Sequence, residues 1–231
     1  MKVKGSFKDL TRFELVLWLS SCAVVFVSFA VSGGRDILTL IASLIGVTAL
    51  IFVAKGYVLG QILTVAFAVF YGIISYYFKY YGEMITYLCM TAPIALMAVV
   101  SWIRHPFEKT KEVKINKIGT KQLLKIIFFA LIVTAVFYFI LKALGNANLV
   151  FSTVSVTTSF IASYLTFLRS PYYALAYSAN DIVLIVLWSL ATVQNISYLP
   201  MILCFVMFLL NDLYGFYNWI KIRARQMKGI R

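Results

Sequence analysis

Two carboxylates set inside apolar runs mark where this chain could do chemistry. Asp181 follows Asn180 midway along a run at about 172–190, and Asp212 follows Asn211 in a run at about 198–220. Each run is long enough to cross a bilayer, which takes roughly 20 apolar residues. A charged side chain at the bilayer centre costs at least ~2.5–3.5 kcal/mol on insertion scales, so it requires a partner or a wet cavity. Trp188 stands eight residues after Asn180 and seven after Asp181, so helical spacing lets both share its face. Tyr177 lies one turn before the first pair, and Tyr214 just after the second. An earlier run at about 58–78 offers Gln61 and Thr64 on one face, with Tyr71 seven residues beyond Thr64. Amides and carboxylates hydrogen-bond hydroxyl and amide groups, while aromatic faces stack on a ring or attract a cation. Together these residues suit a flat, polar, uncharged or cationic molecule. The competing role for an Asn-Asp pair is joining helices through hydrogen bonds of modest strength. A carboxylate is a costly joint, which favours a cavity-lining role for Asp181; Asp212, nearer a helix end, is balanced between the two.

Catalytic equipment is sparse. Cys22, Cys89 and Cys204 lie inside apolar runs without a CxxC neighbour and read as small buried hydrophobes. His105, beside Pro106, has no second histidine or cysteine near it, so no metal or other cofactor is expected. No phosphate-binding glycine loop or dinucleotide fingerprint occurs. A membrane enzyme acting on lipid substrates through Asp181 or Asp212 is the alternative of another class, but two separated acids without paired histidines argue against it.

The elements that must position these residues are membrane spans. With 62% hydrophobic and 13% charged residues, the chain has more apolar surface than one soluble core of its size can hide. Eight runs are read, at approximately 15–32, 37–54, 58–78, 84–103, 123–142, 148–168, 172–190 and 198–220. Eighteen of the 21 Lys and Arg residues fall in alternate gaps between them; only Arg35, Lys79 and Lys142 fall in the other set. Basic loops are retained in the cytoplasm, which predicts a multi-pass protein of the cell membrane with both termini inside. The same pattern explains the net charge of +13 without nucleic acid, and leaves the lipid bilayer as the expected partner of the basic residues. The first apolar run, of about 18 residues, exceeds the 7–15 typical of a secretory signal and reads as a retained helix.

A faint internal repeat organises the spans. Ser101-Trp102-Ile103-Arg104 ends the fourth and Asn218-Trp219-Ile220-Lys221 ends the eighth, 117 residues apart. The turn Ala54-Lys55-Gly56 is matched with Leu168-Arg169-Ser170, which places Lys55 opposite Arg169 at an offset of 114. The sixth span comes four spans after the second, so the two triplets run parallel, as in transporters that hold cargo near the midplane between repeats. The predicted divisions are 1–36 (tail and extra helix), 37–104 (first bundle), 105–147 (polar loop and linker helix), 148–221 (second bundle) and 222–231 (basic tail). Residues Glu108 to Lys114 read as a solvated loop or short surface helix. Gly60, Gly72, Pro93 and Pro200 are expected bending points. Tyr76, Tyr77, Tyr80 and Tyr81 are expected to form an interfacial belt.

Several stretches resemble the PnuC family of vitamin transporters, which take up nicotinamide riboside and have relatives that carry thiamine or riboflavin. They are Tyr71-Gly72-Ile73-Ile74-Ser75-Tyr76 followed by Tyr81-Gly82, Pro93 in the fourth span, the run from Asn180 to Trp188, and the run from Asn211 to Trp219. The resemblance covers about residues 37–221. It implies an all-α membrane fold, with one extra N-terminal helix and a 3+1+3 parallel repeat like that of the SWEET transporters. It further implies a homotrimer, facilitated diffusion without ion or ATP, and trapping of the cargo by a cytoplasmic kinase. Nicotinamide riboside is the implied cargo and thiamine the alternative. Many members carry a Glu-x-Trp-x-x-Trp pattern at the start of the seventh span, where this chain has Ser170-Pro171-Tyr172-Tyr173-Ala174-Leu175-Ala176-Tyr177. Tyrosines would then take over the stacking.

Overall fold

The computed structural model describes residues 7–31, 37–77, 80–108, 110–146 and 148–229. Lys2, Lys4, Ser32, Arg35, Asp36, Phe78, Lys79, Lys109 and Arg231, which enter the charge and boundary readings above, lie outside the described residues. Among the described residues eight helices are long and apolar enough to cross a membrane. They are α1 (Arg12–Val31), α2 (Ile37–Ala54), α3 (Val58–Tyr77), α4 (Tyr81–Arg104), α5 (Thr120–Ala143), α6 (Leu149–Phe167), α7 (Tyr173–Gln194) and α8 (Leu199–Gly229). Every predicted span is present. The largest difference in bounds is at α8, which runs nine residues past the predicted end at Ile220. Hydropathy falls there but helix-forming residues continue, and Ile222 and Gln226, four apart, are both buried on one side.

Packing follows a ring. α2 lies on α3, α3 on α4, α4 on α6, α6 on α7, α7 on α8, and α8 back on α2. The first triplet (α2–α4) and the second (α6–α8) therefore meet along two seams, α4 with α6 and α8 with α2. α5 lies outside the ring against α6, and α1 outside it against α8 and α2. The buried residues Glu14, Ser21, Val25 and Ser28 form one stripe of α1. Lipid tails are as apolar as leucine, so little hydrophobic force holds an added helix in place and hydrogen bonds do more of the work. Trp18 Nε1 of α1 donates to Thr48 Oγ1 at 3.1 Å, and Asn211 Nδ2 donates to Ser21 Oγ at 2.9 Å.

α4 departs from α-helical geometry at its centre. Pro93 has no N–H to offer the carbonyl of Cys89, and its ring crowds that carbonyl. The chain answers with a wider π turn over Thr86–Thr91, closed by Ala92 N–H donating to the carbonyl of Tyr87. The other three expected bending points differ. Gly60 and Gly72 sit within the uninterrupted α3, and Pro200 is the second residue of α8, where a missing N–H costs nothing. Gly60 is instead a close approach: a Cβ there would run into the backbone of Val53. Of the cysteines only Cys204 is buried; Cys89 is exposed, because the wide turn leaves it on the outer side of α4. Tyr76, Tyr77 and Tyr81 are exposed near the end of α3 and the start of α4, whereas Tyr80 turns inward, 4.9 Å from the ring of Trp188.

The end of the ring that carries the basic residues is closed by matched bonds between triplets. Trp102 Nε1 of α4 donates to the carbonyl of Thr166 on α6 at 3.0 Å, and Trp219 Nε1 of α8 donates to that of Val53 on α2 at 2.8 Å. Ser101 Oγ donates to the carbonyl of Phe167, and Asn218 Nδ2 to that of Ala54. Each triplet's last helix thus satisfies end carbonyls of the other's first helix, groups that a helix leaves unpaired. The following turns also match, but one residue away from the sequence alignment. Gly56 N–H bonds back to Val53, and Arg169 N–H to Thr166, with φ of 68° and 59° respectively. In backbone conformation and bonding, Arg169 matches Gly56, not Lys55. Left-handed backbone suits glycine, so the arginine holds it at some cost. Burial also lowers the pKa of its guanidinium.

The described residues of 105–119 form a loop, as one of the two expected forms, with most of its charged side chains exposed but its backbone tied down at a few points. Val113, 2% exposed, donates its N–H to the carbonyl of Gly56, and Asn116 donates to that of Arg169. Gln226 of α8 bonds both Val113 and Ile115. Ion pairs join Glu112 to Arg225 and Lys111 to Asp9. The loop is pulled down because it supplies donors to equivalent turn carbonyls in both triplets. Burial, helped by the charges of Asp9, Glu112 and Glu14, pushes the Tyr57 phenol beneath it up to about 12.

Candidate functional site

Six of the ten residues singled out in the sequence converge on one hollow inside the ring. α3 supplies Gln61 and Thr64, α7 supplies Tyr177, Asn180 and Asp181, and α8 supplies Asp212. The period of the helix brings them together: Tyr177 and Asp181 are four apart, Gln61 and Thr64 three apart. Tyr173, one turn before Tyr177, and Tyr87 and Thr91 from the wide turn of α4 complete the polar wall. Phe67, Phe205 and Phe208 form the apolar side. The hollow measures about 50 Å³, room for a water or two. A nucleoside-sized ligand needs several times that, in the range of roughly 300 Å³ upward, so the ring is closed around the site and must widen to load it.

Asn180 is held from behind. Its Oδ1 accepts from Thr158 Oγ1 at 2.8 Å and more loosely from Ser155 Oγ at 3.4 Å, both on α6. Its amino group is left to donate. The carboxyl of Asp181 meets that of Asp212, joining α7 to α8, and Asp181 Oδ2 has no hydrogen-bond partner. Two ionised carboxylates in contact repel; a shared proton or a cation relieves this. Tyr177 OH shares a hydrogen bond with Ser163 Oγ at 3.0 Å, which fixes its ring. No lysine or arginine lines the hollow among the described residues.

The other four lie elsewhere. Trp188 donates from Nε1 to Tyr71 OH at 3.0 Å, and both are packed just beyond the hollow on the side away from the basic end. Tyr71 in turn lies 4.3 Å, ring to ring, from Tyr87. The pair is a seal between α7 and α3, not a surface of the hollow. Asn211 points at Ser21 of α1, and Tyr214 OH donates to Glu14 Oε1, which also receives Lys55 Nζ. Both therefore hold the extra helix. Tyr214 borders a separate groove of about 660 Å³ at the basic end, between α1 and α8. That groove mixes Lys55, Lys221 and Arg225 with Glu14 and Glu112, and two of its three cations are already paired.

Tyr173, one of the tyrosines expected to take over the stacking, does line the hollow, whereas sequence reasoning missed Tyr87 and Thr91. Regular spacing could not place Tyr87 and Thr91, since the π turn rotates them away from the face that it assigns. Glu14 and Glu83, in the first turns of α1 and α4 and just outside the predicted apolar runs, are 1% and 2% exposed.

A closed ring of spanning helices around a small polar hollow, with contacts between two triplets at both ends, fits a multi-pass membrane transporter, and the family match places the chain in that class. A family model described as nicotinamide mononucleotide transporter matches residues 36–221, and the chain belongs to that family. It is 31% identical over 227 residues to the nicotinamide riboside transporter PnuC of Neisseria mucosa, covering 95% of this chain and 85% of the relative. The protein of the same name from Haemophilus influenzae is 24% identical over 215 residues, covering 92% of each. A crystal structure of the vitamin B3 transporter PnuC superposes with a TM-score of 0.83 at 29% identity, covering 95% of both chains. Among the described residues no group of three or more histidine, cysteine, aspartate or glutamate side chains could hold a metal ion.

Proposed function

We propose that this protein carries nicotinamide riboside across the cell membrane by facilitated diffusion, loading it into the hollow between the triplets. The observation that carries the reading is the charge of that hollow: two carboxyls, amides and tyrosine rings, with no lysine or arginine. A pyridinium ring is flat and cationic, so it gains from the aromatic faces of Tyr173 and Tyr177 and from Asp181 and Asp212. Asn180, Gln61 and Thr64 have the donors and acceptors for a carboxamide and ribose hydroxyls. A mononucleotide would bring a phosphate against the two acids with no cation to receive it, which favours the riboside named for the relatives over the mononucleotide in the family's description.

The basic end faces the cytoplasm by the positive-inside pattern, with both termini there. The matched Trp102 and Trp219 bonds support a parallel repeat whose triplets rock against each other, and three copies assemble as a trimer. The test is uptake of labelled cargo by purified protein in liposomes. Riboside should equilibrate without ionophore sensitivity, excess mononucleotide should not compete, and weaker competition by thiamine would fit its cationic ring. Competition by mononucleotide as strong as by riboside would overturn the reading, and equilibration of thiamine but not riboside would replace the cargo.

A further inference from the structure

We propose that Glu83 is a specificity residue on the entry side of the hollow, where its carboxylate draws in a cationic cargo and discriminates against a neutral one. This inference rests on the transporter reading above. Glu83 sits in the first turn of α4, four residues before Tyr87 and so about 6 Å farther from the basic end, and within electrostatic reach of that ring. Tyr87 lines the hollow. Glu83 therefore lies on the outer side of the hollow, behind the rings that close that end.

Its surroundings give it no structural duty. Neither Oε1 nor Oε2 has a hydrogen-bond partner, and the side chain is 2% exposed. Tyr71, Tyr80 and Tyr87 lie within electrostatic reach, and the nearby hydroxyl of Ser155 on α6 donates to Asn180 Oδ1 at 3.4 Å. No ion pair reaches it among the described residues. A carboxylate used to join helices would be bonded, as Glu14 is to Lys55, Tyr214 and the Thr11 N–H. An unpaired intramembrane acid is instead the mark of a group that is partnered in another state of the cycle. The tyrosines around it are the rings that close the outer side: Tyr71 through Trp188, and Tyr80 against Trp188 and Tyr198. Parting them to admit cargo would uncover Glu83 beside three aromatic faces, a combination that attracts a cation.

The test compares uptake of cationic nicotinamide riboside with that of its neutral dihydro form in liposomes holding wild type, Glu83→Gln or Glu83→Asp. Glu83→Gln should raise KM for the cation about tenfold while changing that of the neutral form less than about twofold. Glu83→Asp, which keeps the charge, should restore most of the preference. Equal loss for both cargoes, or no loss for either, overturns the proposal. Transport of neither cargo by wild type would instead defeat the cargo reading itself. Should both variants fail to assemble, carbodiimide labelling of wild-type protein decides: peptide mapping should show Glu83 shielded by the riboside, and unshielded labelling contradicts the assignment.

Discussion

Asn180 shows how a single side chain acquires a direction. Two hydroxyls of α6 occupy its carbonyl oxygen, so only its amino group remains to meet cargo. Asn180→Asp replaces that donor by an acceptor beside the existing acids, and Tyr177→Ala removes a stacking face. Each should weaken riboside binding at least about tenfold, whereas Tyr177→Phe, which keeps the ring, should cost less than about threefold. Calorimetric titration of the purified variants checks this; equal affinity in Asn180→Asp and wild type would remove Asn180 from the site. The polar residues in mid-span were legible because hydrocarbon makes each of them expensive. Their destinations were less so. Asn211 and Tyr214 carry the same signal as Asn180 and Tyr177 but bond to α1, and nothing local in the sequence separates binding cargo from holding a helix. Glu14 and Glu83 each stand one residue before a predicted apolar run, so a boundary set by hydropathy left them outside.

At the scale of elements, the eight spans and the turn positions follow from hydropathy and charge, while α4 could not be read fully. Pro93 announced a disturbance, but its form, a π turn that delivers Tyr87 and Thr91 to the hollow, depends on packing against α3 and α6. Within the proposed repeat, the Trp endings make matching bonds, but the turn match differs in register, since Arg169 was paired with Lys55 by charge although its backbone conformation matches that of Gly56. The Trp endings themselves do more than anchor at an interface. Trp219→Phe would keep the ring but strand the Val53 carbonyl, and Trp102→Phe the Thr166 carbonyl. Each should destabilise the protein by about 1–3 kcal/mol, the cost of an unpaired buried polar group. Thermal unfolding in detergent measures it. An unchanged melting temperature in both would mean that these bonds do not bind the triplets.

For the whole molecule, the two ends of the ring are closed unequally. The basic end has four matched side-chain bonds between triplets together with the loop 105–119, which bonds the turns at Gly56 and Arg169. The far end is closed by the Trp188–Tyr71 bond and packed rings. Widening a 50 Å³ hollow to admit a nucleoside therefore asks less of the far end, by Glu83, than of the basic end. The most direct measurement is an experimental structure of the protein with nicotinamide riboside bound. The account predicts the pyridinium ring against Tyr173 and Tyr177, its carboxamide or ribose within hydrogen-bond distance of Asn180, and a carboxyl of Asp181 or Asp212 beside the ring. Cargo resting in the groove between α1 and α8, with the central hollow still closed and empty, would contradict it.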